Sequence, residues 1–160
     1  MRIVSNTSPI SYLVVIGHID LLPLLFSHIL IPETVRDELS AARAPSEVQR
    51  WIAEPPKWLR IDPALPCSDS ELLQLDAGER AAIQLAESPK ADLILLDDLA
   101  ARLIAARRGI PLTGTLGILD RAATEGEIDF EKAIARLQKT NFRVSKAVLS
   151  SLLQRHNNLP

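Results

Sequence analysis

The stretch Asp92-Leu93-Ile94-Leu95-Leu96-Asp97 decides the fold. Four consecutive apolar residues bounded by acids suit a strand buried on both faces, which is the habit of a parallel sheet. Downstream, a helix is expected over 98–108 with Gly109 as its stop, and Ile110-Pro111-Leu112-Thr113 leads to a last short strand. Upstream, Asp76-Ala77-Gly78-Glu79 opens a helix whose Ala82, Ile83, Leu85 and Ala86 form its apolar side. Further towards the start, residues 2–5 read as a strand punctuated by Asn6-Thr7-Ser8-Pro9, with Thr7 or Ser8 as helix cap and Pro9 in the first turn. Asp20 is placed to cap a short apolar helix, Leu21 to Phe26. Strands are read at 28–31 and 58–61, with helices from Glu33 to about Ala44 and from Pro45-Ser46 to the residues before Pro55. The final helices fall at 115–125, 129–140 and 145–155.

Strands at about residues 2, 28, 58, 92 and 110 thus alternate with helices. That order calls for right-handed crossovers and a three-layer α/β/α sandwich around a central, mostly parallel sheet. The irregular stretch 62–75 reads as a surface connection, because neither half of the chain has a convincing core alone. One domain is expected over 1–156, with a helical C-terminal part at about 129–156.

Composition narrows the function. A chain of 160 residues with 47% apolar content is far from the disordered range, and one cysteine, Cys67, excludes an intrachain disulfide framework. No apolar stretch approaches the roughly 18 residues of a membrane span, so a cytoplasmic location is the expectation. A net charge of -2 argues against a protein wrapped in nucleic acid by bulk charge. The charge is uneven, however: Lys132, Arg136, Lys139, Arg143, Lys146 and Arg155 stand against the single acid Glu131 after residue 130. Arg102, Arg107 and Arg108 offer a second basic patch.

In open α/β sheets, active groups gather beyond the carboxyl ends of the strands. The candidates there are Asn6, Asp97, Asp98, and Gly114-Thr115, joined from helices by Glu38 and Glu79. Carboxylates crowded in a crevice repel one another, and a hard divalent ion with oxygen ligands, Mg²⁺ or Mn²⁺, relieves that repulsion and can activate water. Each residue also has a plain structural use. Asp76 and Glu79 have capping-box spacing, Asp97 or Asp98 can cap the following helix, Glu38 beside Asp37 can be a solvated face, and Asn6 can bond its own turn. No phosphate-binding glycine loop, zinc cluster or nucleophile elbow is present in the sequence, and His156 reads as a solvated tail residue.

Five segments in order carry a family resemblance: Val4-Ser5-Asn6-Thr7-Ser8-Pro9-Ile10, Ile31-Pro32-Glu33 through Glu38-Leu39, Leu75-Asp76-Ala77-Gly78-Glu79, Ala91-Asp92 through Asp97-Asp98, and Pro111-Leu112-Thr113-Gly114-Thr115-Leu116-Gly117. Together they resemble a PIN-domain protein of the DUF3368 kind, similar to toxins of VapC-type toxin–antitoxin pairs. The resemblance implies an acidic cleft that binds Mg²⁺ or Mn²⁺ and hydrolyses RNA phosphodiester bonds. Its four acidic positions fall on Asn6, Glu38, Glu79 and Asp97, with Asp98 as accessory, and asparagine at the first removes a full charge. Thr7, Ser8, Thr113 and Thr115 match its substrate-positioning hydroxyls. It further implies a homodimer and a small antitoxin partner. The alternative is a catalytically weak module of the same fold that binds RNA or a protein.

Overall fold

In the computed structural model, which describes residues 1–87 and 89–158, the chain divides into two compact units, Met1–Thr115 and Leu116–Pro160. The first unit holds a five-stranded parallel sheet in the order β3-β2-β1-β4-β5. Its strands are β1 (Ile3–Ser5), β2 (Ile29–Pro32), β3 (Leu59–Asp62), β4 (Leu93–Leu95) and β5 (Leu112–Thr113). Between them run α1 (Thr7–Val15), α2 (Leu21–Phe26), α3 (Glu33–Ser40), α4 (Ser46–Ala53), a 3-10 turn (Leu72–Gln74), α5 (Ala77–Glu87) and α6 (Leu99–Arg107).

The strand order explains the layering. From β1 the chain steps outward to β2 and β3, then returns across the sheet to β4 and steps the other way to β5. Right-handed crossovers therefore put α1–α4 on one face and α5 and α6 on the other. One core follows from that second face: Val4, Leu30, Ile94 and Leu96 from the strand segments pack with Ala82, Ile83, Ala86, Ala101, Ile104 and Ala105 from the two helices. Small alanines let α5 and α6 lie close to the sheet, and the scarcity of aromatics is met by close aliphatic packing. The α/β sandwich expected from the alternation is what forms. Direction reverses between β1 and β4, so the crevice beyond their carboxyl ends lies between the segments that begin at Asn6 and at Leu96.

Boundaries differ where local signals compete. The helix expected to run to about Ala44 stops at Ser40, and Ala41 is extended at ψ 151. Neither Thr7 nor Ser8 caps α1; Asn6 takes the N-cap position with extended backbone and no side-chain cap bond, and Asp20 makes none for α2.

The second unit contains the rest of α7 (Thr115–Thr124), then α8 (Phe130–Gln138) and α9 (Lys146–Asn157). Asp129 and Ser145 cap α8 and α9 by accepting from the Lys132 and Val148 amides at 3.1 and 3.2 Å. His156 is not a solvated tail residue. Its side chain is 9% exposed, its Nε2 lies 2.7 Å from Asp120 Oδ1, and its ring stacks on Phe130 at 4.2 Å. Arg155 donates to the other Asp120 oxygen at 3.0 Å, so one acid on α7 fixes the end of α9. No helix among the described residues is long and apolar enough to cross a membrane.

Candidate active site

The chain runs from the carboxyl end of β1 into α1 and from that of β2 into α3, and α5 begins beside the same edge. The first turns of α1 and α5 and the last turn of α3 border one crevice, a cleft of about 590 Å³ lined by Asn6, Thr7, Ser8, Glu38, Asp76 and Glu79 among others. The cleft is oxygen-rich and its charged lining is mostly acidic; Arg43 stands at it as the counter-example.

Glu38 is held in a defined place. The Thr7 hydroxyl, on the first turn of α1, donates to its Oε2 at 2.5 Å. On the other side the carboxylate rests on the first turn of α5, where a Cβ added to Gly78 would stand 2.5 Å from both Glu38 oxygens. No real Cβ tolerates that approach, so glycine at 78 is a matter of space, not of backbone freedom. The positive end of α5 also favours an anion there.

Glu79, one residue on, is half-buried and accepts from the Asp76 amide at 3.2 Å, the reach-back half of a capping box. The structural and the chemical reading of this residue thus coexist. Burial, then the charges of Asp98 and Asp76 and finally of Glu38, push its carboxyl up to about 7, against the pull of the Asp76 amide. The folded state therefore keeps a proton that the unfolded chain has released, from its ordinary 4.5 up to about 7. Stability contributed by this group is full below the lower value and is lost as pH rises through the upper one. A fully dehydrated shift of that size would be worth about 3 kcal/mol; with half the side chain facing water we expect about 1 kcal/mol. Urea melts at pH 5 and pH 8 should show Glu79→Gln losing that much less stability across the interval than the parent chain, and parallel losses would refute the assignment.

Asp97 is held differently. Its two oxygens accept from the Thr115 amide and hydroxyl, each at 2.7 Å. Burial raises its carboxyl, opposed by those two donors and by the Arg102 guanidinium. Arg102 is drawn inward, donating to the Leu96 carbonyl at 2.9 Å. A Cβ on Gly114 would lie 2.6 Å from Asp97 Oδ1 and 2.8 Å from the Arg102 guanidinium, so this glycine too makes room for a carboxylate. Tyr12 on α1 feels the Asp97 charge, which adds to burial in raising its phenol.

The remaining candidates divide. Asp98 is exposed and caps α6, accepting from the Ala101 amide at 3.0 Å, yet its charge bears on Glu79. Thr113 serves the β4–β5 ladder, its carbonyl accepting from the Leu96 amide at 2.8 Å. Asn6, Thr7, Ser8, Glu38 and Glu79 share the cleft, while Asp97 and Thr115 form a pair with each other. The sequence places Gly114 at the crevice but does not reveal Gly78, for which a glycine in the first turn of a helix, a poor helix former where a cap is already present, is the available signal. It also places Arg107 and Arg108 in a basic patch. Instead Arg107 pairs with Glu71, and Arg108 with Asp69, Glu71 and Glu87, at 2.6–3.0 Å, so their charge is neutralised.

Asn6 is the oddest member. It is 4% exposed, its backbone N–H donates to the Leu95 carbonyl at 3.0 Å, and its side-chain Oδ1 is buried with no hydrogen-bond partner among the described residues. An unsatisfied buried carbonyl oxygen costs stability unless something electropositive meets it. Among the described residues no three His, Cys, Asp or Glu side chains gather tightly enough to hold a metal by themselves. A hard cation that keeps several waters needs only one or two carboxylates and a neutral oxygen, however, and Glu38, Glu79 and Asn6 are such a donor set.

No curated protein and no solved structure matches the chain. A family model does: DUF3368, described as a PIN domain, matches residues 2–158, and the chain belongs to that family of PIN domains, a nuclease fold.

Proposed function

We propose that the protein is a divalent-metal-dependent endoribonuclease, hydrolysing RNA phosphodiester bonds, and that it serves as the toxin of a type II toxin–antitoxin pair. One observation carries the catalytic half of this reading: a cleft of oxygen ligands at the carboxyl edge of the sheet, lined by Asn6, whose buried side-chain oxygen meets no donor among the described residues. Glu38, Glu79 and Asn6 would hold Mg²⁺ or Mn²⁺. Such an ion supplies a water of lowered pKa and stabilises charge on phosphoryl and leaving oxygens.

The chain's own residues do the rest. Thr7 and Gly78 fix the Glu38 carboxylate, so that its position is set before substrate arrives. Thr115 and Arg102 hold Asp97 next to the crevice. The Ser8 and Ser11 side chains and the Arg43 guanidinium line the cleft, where they would donate to the non-bridging oxygens of a bound phosphodiester. The toxin role, the homodimer and the small antitoxin partner rest on the resemblance to VapC-type toxins, and the cleft adds nothing to them.

Two observations favour a second reading, a binding-only module: asparagine replaces the first acid, and both Asp97 oxygens are already engaged. Cleavage of single-stranded RNA with Mn²⁺, with EDTA, and by Asp97→Asn separates the two. The nuclease reading expects cleavage that EDTA stops and that the variant loses by more than tenfold. Equal, residual cleavage by parent and variant would mark a contaminant and leave the binding module.

A further inference from the structure

We propose that the turn joining α3 to α4, residues 41–45, is a phosphate clamp on the wall of the cleft, in which Arg43 grips the RNA backbone and Gln49 of α4 sets the guanidinium in place. The inference rests on the ribonuclease reading and deepens it, assigning where the strand is held as distinct from where it is cut. The turn reads Ala41-Ala42-Arg43-Ala44-Pro45, so Arg43 carries its only polar side chain. Both ends are anchored in the core, by Leu39 before the turn and Val48 after it, each fully buried. The Ala44 N–H donates to the Ala41 carbonyl at 2.9 Å and closes the turn. From α4 the Gln49 side-chain amide reaches back and donates to the Ala42 and Ala44 carbonyls, at 3.3 and 2.7 Å. Those two carbonyls flank Arg43, so the backbone that presents the guanidinium is held on both sides.

Arg43 lines the cleft together with Glu38, Asp76 and Glu79, yet among the described residues it forms no ion pair or hydrogen bond with any of them. The other charges near the turn do not engage it either: Asp37 on α3 takes Arg36 at 3.1 Å, and Glu47, exposed on α4, is not paired with it. A guanidinium beside three carboxylates and bonded to none keeps its five donors open to an arriving anion. The planar fork suits a phosphodiester, because it meets two non-bridging oxygens at once whatever the base. Arg43 stands beyond ion-pair reach of Glu38 and Glu79, which would hold a metal, so it bonds a phosphate away from the point where charge develops. Its grip therefore acts on ground state and transition state alike, which shows in KM and not in kcat. An acidic protein segment is the competing occupant. It would need an apolar centre to bury, and beside Arg43 only Ala44 and Pro45 are uncovered, since Leu39 and Val48 are already sealed in the core.

The test is steady-state cleavage of a single-stranded RNA with Mn²⁺, between about 50 and about 200 mM KCl. Arg43→Gln should raise KM about tenfold at the low-salt end and leave kcat within about threefold. One lost phosphate contact should also flatten the slope of log KM against log salt by about 0.7. Arg43→Lys keeps the charge but not the fork, so it should hold the slope and raise KM about threefold. Gln49→Ala should raise KM about threefold in the parent chain and not at all in Arg43→Gln, because it acts through the guanidinium alone. A merely structural fault would raise KM in both chains, and that result would overturn the role of Gln49. An unchanged KM, or a fall in kcat alone, in Arg43→Gln would overturn the clamp, while RNA cleavage by the parent chain would keep the ribonuclease reading. Polyglutamate that blocks cleavage more tightly than a competing RNA of equal charge, and loses that hold in Arg43→Gln, would overturn it in favour of an acidic protein. A parent chain that does not cut RNA with Mn²⁺ would remove the ribonuclease reading and the clamp together.

Discussion

Gly78→Ala is expected to cut RNA cleavage about 100-fold while leaving the fold intact or slightly firmer. The new methyl would stand 2.5 Å from both oxygens of Glu38, and the side-chain tip, not the α5 backbone, is what can move. Displacing it breaks the bond from Thr7 and takes the carboxylate off the helix terminus. A misplacement of about 1 Å in a positioned group is enough for a loss of that size. Meanwhile alanine is the better helix former by about 1 kcal/mol, which offsets the lost hydrogen bond. Activity and stability therefore part company, and this separates a seat for a catalytic group from ordinary packing. Glu38→Gln should go further, to about 1,000-fold, because it removes the charge as well as the geometry. Cleavage rates with Mn²⁺ beside thermal melts check both variants. Full activity in Gly78→Ala would mean that the place of Glu38 is immaterial, and the cleft would lose its claim to the chemistry.

What could be read in the sequence, and what could not, follows from the range of the forces involved. The run around Leu93–Leu96 marked β4 because burial on both faces is written in consecutive residues, and the alternation of such runs with helices gave the sheet. Caps were less legible. Asp97 and Asp98 are adjacent and alike, and only the backbone of Asp98, extended at φ -65 and ψ 129, turns it to cap α6 while its neighbour reaches Thr115. Asn6 looked able to satisfy itself in a turn, but its oxygen faces a place without donors, which no local pattern records. Long-range pairs were invisible. Arg108 meets acids 21 to 39 positions away, by the numbers of Glu87 and Asp69, and His156 meets Asp120 across 36. The residues that lie on Gly78 and Gly114 are likewise known only once the chain is folded.

Asp97→Ala is expected to destabilise the protein by about 3 kcal/mol. Thr115 is fully buried, and removal of the carboxylate would leave its amide and hydroxyl without acceptors and the Arg102 guanidinium without its counter-charge. Asp97→Asn keeps the shape and one acceptor, so it should cost only about 1 kcal/mol while still losing cleavage. The pair of variants then distinguishes an acid that is present for the fold from one that is present for the reaction as well. A double change makes the distinction sharper. If the aspartate's structural work is to satisfy Thr115, Asp97→Ala combined with Thr115→Val should be less damaging than the two single losses added together, by about 1 kcal/mol or more, because no buried hydroxyl is then left unpaired. Urea melts of the four chains measure that coupling directly. Strict additivity would mean that the short contacts between the two side chains contribute nothing to stability, and that Asp97 is retained beside the cleft for its charge alone.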